Sequence, residues 1–150
     1  MNFVARAPRA RRSVRSAVDS SILFDILLPD PRYGPASSGL LREKLDSGVV
    51  IACDVVWAEV RSAFSKDDAF DEAVAKLGIQ FEPIAREAAR MAGELWRQYR
   101  SAKGPVRGHL VPDFLVGAHA LLQADALLSR DRGFYRRYFS NLKVMDPSKS

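Results

Sequence analysis

The stretch SAVDSSILFDIL, residues 16–27, decides the fold class. A short apolar run ends in Asp19, and a second apolar run with helical spacing follows two serines. Ser20 and Ser21 are residue types that begin helices, because their hydroxyl groups accept hydrogen bonds from the free N–H groups of the first turn. The pattern predicts a strand that leads directly into a helix.

The same alternation recurs along the rest of the chain. Residues 49–52 (VVIA) predict a second buried strand, and Asp54 begins a helix that extends to about Lys66. Further strands are predicted at 79–81, 126–128 and 144–145, helices at 40–47, 70–77, 83–102 and 112–124, loops at 29–38 and 101–109, and an aromatic turn at 134–139. Short apolar strands alternating with helices predict an α/β fold with a short, mainly parallel central sheet flanked by helices in three layers. Sites in such sheets form beyond the carboxyl ends of the strands.

Composition restricts the class of protein. The 150 residues are 47% hydrophobic and 27% charged, with 9 Gly and 8 Pro, which excludes disordered, collagen-like and low-complexity proteins and favours one domain. Cys53 is the one cysteine of the sequence, so it cannot form an intramolecular disulfide. No apolar run approaches the roughly 20 residues that span a bilayer. We therefore expect a cytoplasmic protein that does not bind a membrane.

The formal net charge of +5 is concentrated at the N-terminus. Residues 1–15 contain five arginines and no acid, and the rest of the chain holds 18 basic and 18 acidic side chains. We therefore predict a basic, flexible extension at 1–15 and one domain at 16–150. The extension could be an RNA-binding arm, a transit-like segment or a solvated end, and we favour the solvated end. A wrongly assigned start codon, with the natural chain beginning near Val14, is one form of that interpretation.

Two acids occur within helices where an acid contributes little to stability. Glu59 shares its predicted helical face with Val55, Val56 and Ala63, so we expect it to be buried. Asp113 lies in the first turn of a helix that is apolar or small on almost every side. An unpaired buried carboxylate costs several kcal/mol, so it must protonate, meet a base or bind a cation.

Two further acids, Asp19 and Asp131, follow predicted strands and point toward the same edge of the sheet. Each acid also has a structural explanation, since Asp113 complements a helix dipole and Asp19 could cap a helix. Together, however, converging carboxylates repel one another unless a divalent cation neutralises them. Carboxylate oxygens suit Mg²⁺ or Mn²⁺, whereas Zn²⁺ would recruit His or Cys.

The chain resembles the PIN-domain ribonucleases, and most closely the VapC-like toxins of toxin–antitoxin pairs. The resemblance extends over residues 16–147 and is carried by the stretches AVDSSILFDIL with Asp19, VVWAEV with Glu59, VPDFLVGAHAL with Asp113 and LLSRDRGFYRRYF with Asp131. Ser21 falls where the family often has a small hydroxyl or amide residue near the metal. The resemblance implies a PIN-like three-layer fold.

It also implies a metal-dependent endoribonuclease that hydrolyses RNA phosphodiester bonds. Asp19, Glu59, Asp113 and Asp131 would hold Mg²⁺ or Mn²⁺, with Asp131 the candidate to act through water. Ser21, Arg130 and Arg132 would contact the RNA substrate; equally, the two arginines could pair with acids or with an antitoxin. The partners that the family implies are RNA, a cognate antitoxin and a second copy of the chain.

Other functions fit the sequence less well. A haloacid-dehalogenase-like phosphatase needs Asp-x-Asp where Ser21 stands, and a phosphorelay receiver needs an acid pair there and an aspartate at a mid-chain strand end that VVIAC does not supply. Neither type of Gly-rich phosphate loop is present. The principal alternative is a PIN-fold module that binds RNA or protein without cleaving RNA. His109 and His119 are candidate bases that a metal nuclease does not need. The remaining acids assigned to helix surfaces, caps or loops are Asp25, Asp30, Asp54 and Asp125.

Overall fold

The computed structural model describes residues 13–102 and 110–148. The elements follow in chain order as β1 (Val14–Val18), α1 (Ser20–Leu27), α2 (Gly34–Ser47), β2 (Gly48–Ala52), α3 (Asp54–Arg61), α4 (Asp67–Leu77), β3 (Ile79–Phe81), α5 (Arg86–Ser101), α6 (Val111–Gln123), β4 (Ala126–Leu128), α7 (Arg132–Tyr138) and β5 (Val144–Met145). The four arginines before Ser13, His109 and most of the predicted 101–109 loop lie outside the described residues.

The strands form one sheet in the order β3-β2-β1-β4-β5, and every pairing is parallel. β1 is central, with Ala17 opposite Ile51 of β2 on one side and Leu127 of β4 on the other. The chain therefore leaves β1, β2 and β4 at the same edge. The predicted three-layer α/β fold with a parallel central sheet is confirmed.

Apolar side chains of the central strands and of α6 form the core. Val18, Val50, Leu127 and Leu128 are each at most 1% exposed, as expected for strands covered by helices on both sides. Phe114 of α6 is fully buried in a cluster of aromatic rings. Its ring partners are Trp96, Tyr99, Phe134, Tyr138 and Phe139.

Two elements, β1 and α2, begin at earlier residues than the sequence predicts. β1 begins at Val14 rather than Ser16, because Asp125 accepts a hydrogen bond from the Arg15 N–H at 2.8 Å and donates one to the Arg15 carbonyl at 2.7 Å. Arg15 therefore belongs to the sheet and not to a flexible extension. α2 begins at Gly34, inside the predicted loop, because Pro35 is accommodated in its first turn.

The aromatic segment after β4 is a helix rather than a turn. Phe134 packs against Tyr138, and Tyr135 against Phe139, so pairs spaced four residues apart share one face of α7. Within 13–102 and 110–148, no helix is both long and apolar enough to cross a membrane.

Candidate active site

Asp19 lies at the carboxyl end of the central strand. It is the N-cap of α1, and its Oδ1 accepts a hydrogen bond from the Ser20 N–H at 2.8 Å. Its Oδ2 accepts one from the Ser129 hydroxyl at 2.7 Å, and its own N–H donates to the Leu128 carbonyl at 2.9 Å. These bonds join the ends of β1 and β4. The cap predicted for this position is therefore formed by Asp19 itself.

Asp113 occupies the first turn of α6 and is half-buried. Its Oδ2 accepts a hydrogen bond from the Leu110 N–H at 3.0 Å, which fixes the carboxylate at the start of the helix. The structural role considered for a first-turn acid is thus present. One such bond leaves most acceptor positions of a carboxylate unused.

Glu59 is exposed, which corrects the expectation of a buried helical acid. The buried residues of α3 are Val56 and Val60, and Glu59 lies beside that narrow face, where water solvates its charge. Among the described residues, its carboxylate makes no hydrogen bond or ion pair. Glu59 is therefore not a buried charge that needs a partner. What links Glu59 to the predicted site is its electrostatic interaction with Asp19.

Electrostatic interactions link Asp19 with two of the other predicted site acids, Glu59 and Asp113. The pKa of Asp19 is raised to about 6, mainly because burial disfavours the charged form and further because the charges of Glu59 and Asp113 repel it. Hydrogen bonds from Ser129 and Ser20 act in the opposite direction.

The pKa of the buried Tyr135 phenol is also affected by these acids. Burial raises the pKa of Tyr135 well above its usual value, and four negative charges raise it further. Those charges belong to Asp19, Asp113, Asp131 and Glu59. All four acids therefore lie within electrostatic range of the Tyr135 phenol.

The carboxylates at this edge are the type of ligand that binds a hard divalent cation, but in the structure they are not spaced closely enough to hold one. Oxygen ligands from carboxylates are those that Mg²⁺ and Mn²⁺ prefer, and mutual repulsion at Asp19 is what such an ion would relieve. No Arg or Lys of the described residues forms an ion pair with Asp19, Glu59 or Asp113. Nevertheless, no group of three or more His, Cys, Asp or Glu side chains in the described parts of the chain lies close enough to hold a metal ion.

Ser129 is a site residue that the sequence analysis missed. It is fully buried at the end of β4, and its Oγ both donates to Asp19 and accepts the Asp131 N–H at 2.9 Å. Asp131 is exposed and occupies the N-cap position of α7, where its side chain makes no capping hydrogen bond. The signal was available in the stretch LLSRD, where the first residue after an apolar strand is a small hydroxyl residue next to an acid.

The two arginines that flank Asp131 have different surroundings. Arg130 forms a two-bond ion pair with Asp25, whereas Arg132 makes no hydrogen bond or ion pair with any described residue. Asp25 is 3% exposed, so its assignment to a helix surface is wrong. For Arg130, pairing with an acid is the interpretation that the structure favours. The Ser21 hydroxyl accepts the Arg130 N–H at 3.4 Å, which places Ser21 against the same loop.

His119 lies in a separate polar cluster. It is 1% exposed, and its Nε2 makes no hydrogen bond and lies 3.9 Å from Oε2 of Glu82. Glu82 also accepts hydrogen bonds from Arg15 and, at 3.1 Å, from Gln123. Burial lowers the pKa of His119.

A family model of the PIN domain matches residues 17–140. The chain belongs to the PIN-domain family. No curated protein sequence matches it significantly.

Solved structures agree with this family. A chain of VapBC2 from Rickettsia felis, bound to a DNA fragment from its promoter, superposes with a TM-score of 0.65 at 17% identity, covering 89% of this chain and 98% of that one. VapBC-1 from nontypeable Haemophilus influenzae gives 0.62 at 15%, covering 91% and 100%. A toxin–antitoxin complex from Klebsiella pneumoniae gives 0.60 at 18%, covering 88% and 97%. At these identities the likeness establishes the fold.

Proposed function

We propose that this PIN domain is a metal-dependent endoribonuclease and the toxin of a toxin–antitoxin pair. The observation that carries the proposal is the electrostatic influence of Asp19, Asp113, Asp131 and Glu59 on the buried Tyr135 phenol, together with that of Glu59 and Asp113 on Asp19. Like charges held near one another repel and so oppose folding, and their placement favours a function in which a cation is bound. The membership of the PIN-domain family supports the same chemistry.

Asp19, Glu59 and Asp113 would hold Mg²⁺ or Mn²⁺ directly, and Asp131 would act through water. When bound, such an ion activates a water molecule for in-line attack on a phosphodiester and stabilises the leaving oxygen. The Ser129 hydroxyl and the Ser20 N–H orient the Asp19 carboxylate, and the Leu110 N–H orients that of Asp113. The chain thereby fixes two acids from different elements before substrate arrives.

Arg132 is the candidate to bind a phosphate of the RNA. Arg132 directly follows Asp131 in the chain and is half-buried, and no described residue accepts a hydrogen bond from its side chain. Arg130 is already engaged with Asp25, so we assign it no phosphate contact.

The proposed partners are an antitoxin and a second copy of the chain, within the cytoplasm. The structures to which this chain is similar include toxin–antitoxin complexes. Leu28 at the end of α1 is 58% exposed, next to a groove lined by Ile26, Pro29 and Pro31. Apolar surface of this kind suits coverage by a partner.

Purified full-length protein should cleave RNA when Mg²⁺ or Mn²⁺ is present and not when the metal is chelated. Asp19→Asn and Asp113→Asn should each reduce cleavage by at least 10²-fold, because each removes one negative ligand. Asp46→Asn is the matched control, since Asp46 is an exposed acid on α2 outside the site. Cleavage that survives both site changes would refute the mechanism. RNA binding without turnover in any divalent metal would favour the non-cleaving module.

The toxin assignment is tested in cells. Expression of the chain should arrest growth, co-expression of the neighbouring open reading frame should relieve the arrest, and Asp19→Asn should abolish it. Normal growth with the active protein would leave a nuclease that is not a toxin.

A further inference from the structure

The loop between β4 and α7, residues 129–131, is fastened on two sides. On one side, the Ser129 hydroxyl binds Asp19 and holds the Asp131 N–H. On the other, the Arg130 side chain reaches away from the site and binds Asp25 of α1. Arg130, which lies between Ser129 and the predicted site residue Asp131, is therefore anchored in the body of the protein.

The anchor has a rigid geometry. Arg130 Nε lies 2.8 Å from Asp25 Oδ2, and Arg130 Nη2 lies 2.9 Å from Asp25 Oδ1. The Ser37 hydroxyl of α2 donates to the same Asp25 Oδ2 at 2.7 Å. The guanidinium carbon lies 4.1 Å above the centre of the Tyr33 ring. The Nε–Nη2 edge and one face of the guanidinium are thus occupied, which is the pattern of an arginine held in place rather than one that is free to bind a ligand.

We propose that the Arg130 anchor, formed by Asp25, Tyr33, Ser37 and Arg130, positions the metal-binding acids. The inference rests on the proposed function. Ser129 and Asp131 are the covalent neighbours of Arg130, so the anchor fixes the position of both residues relative to the end of β4. The Ser129 hydroxyl contacts both the Asp19 carboxylate and the Asp131 N–H. A shift of this loop therefore changes the distance between Asp19 and Asp131.

Burial determines which residue of the Asp25–Arg130 ion pair is better substituted in a test. The Asp25 side chain is 4% exposed and that of Arg130 is 29% exposed. Removal of Arg130 would leave a buried charge without a partner, which endangers folding. Asp25→Asn keeps the shape and an acceptor for Ser37, and it leaves an arginine that water can solvate. Arg130→Lys keeps the charge but loses the two-bond geometry.

The test compares Asp25→Asn, Arg130→Lys and the double variant with the unchanged protein. Arg136→Met, which removes an exposed arginine of α7, is the matched control. We expect kcat to fall about 10- to 100-fold, the Mn²⁺ concentration for half-saturation to rise by a similar factor, and KM for RNA to stay constant, as for residues that orient metal ligands. Mn²⁺ binding is measured from the electron paramagnetic resonance signal of the free ion. The double variant should lose no more than the worse single variant.

Hydrogen exchange of the Arg130 and Asp131 amides gives a readout that does not depend on activity. Both amides should exchange faster in the two single variants and not in Arg136→Met. Unchanged exchange and unchanged Mn²⁺ binding in Asp25→Asn would overturn the positioning role while the nuclease proposal stands. A rise in KM with a constant metal requirement would show instead that Arg130 binds RNA. If the unchanged protein neither cleaves RNA nor binds Mn²⁺, the proposed function fails, and faster exchange would identify the anchor as purely structural.

Discussion

The ionised carboxylate of Asp19 opposes folding at neutral pH. Its pKa rises from 3.8 to about 6 on folding, so the folded protein binds the proton more tightly than the unfolded chain does. Stability attributable to this group is therefore gained as pH falls from about 6 toward 3.8 and is absent above 6. The shift corresponds to about 1 to 3 kcal/mol of destabilisation at pH 8.

Asp19→Asn should consequently stabilise the metal-free protein at pH 8 by about 1 to 3 kcal/mol while it abolishes cleavage. Asn caps helices as well as Asp and keeps one acceptor for the Ser20 N–H, so the change removes the charge together with the acceptor of the Ser129 hydroxyl. The gain in the free energy of unfolding, measured by urea denaturation at several pH values, should shrink as pH falls below 6. The buried His119 affects both proteins equally and cancels in the difference. Asp46→Asn should show no such gain, and a variant less stable than the parent at every pH would contradict the argument.

At the scale of elements, α6 illustrates how closely helices pack around the site. A Cβ added at Gly117 would lie 2.3 Å from Cε2 of Phe139, a ring held in the aromatic cluster, whereas one added at Gly93 of α5 meets nothing within 4 Å. Gly117→Ala should therefore lower the free energy of unfolding by about 1 to 3 kcal/mol through overpacking. Gly93→Ala should raise it by about 0.5 to 1 kcal/mol, because alanine favours the helix. Equal effects from thermal melts of both variants would show that the packing at Gly117 is looser than the structure has it.

Elements were predictable where one local pattern determines them. The apolar run before Asp19 and the helical spacing after it depend on neighbours in sequence, and these became β1 and α1, although the N-cap is Asp19 and the predicted caps Ser20 and Ser21 lie inside the helix. The burial of Asp25 depends on Arg130, which lies 105 residues away, and so no local pattern reveals it. The prediction that Glu59 is buried was wrong for a related reason. The helices that pack on α3 determine how wide its buried face is, and the sequence of α3 alone does not show that width.

At the scale of the whole molecule, the four acids of the site come from elements distant in sequence. Asp19 follows β1, Glu59 lies on α3, Asp113 begins α6 and Asp131 precedes α7. In the proposed function they would act on one ion when the chain is folded and not when it is unfolded. Metal binding would therefore be coupled to global stability.

Addition of Mn²⁺ at about 100 times its dissociation constant should stabilise the protein by about 2.7 kcal/mol, which for a chain of this size raises Tm by about 5 to 10 °C. Asp19→Asn should lose most of that rise, although it melts at a higher temperature without metal. Differential scanning calorimetry at constant ionic strength, with NaCl replacing the metal salt, separates specific binding from charge screening. Asp46→Asn should respond as the unchanged protein does. The same increase in the unchanged protein and in Asp19→Asn would place the cation elsewhere on the surface.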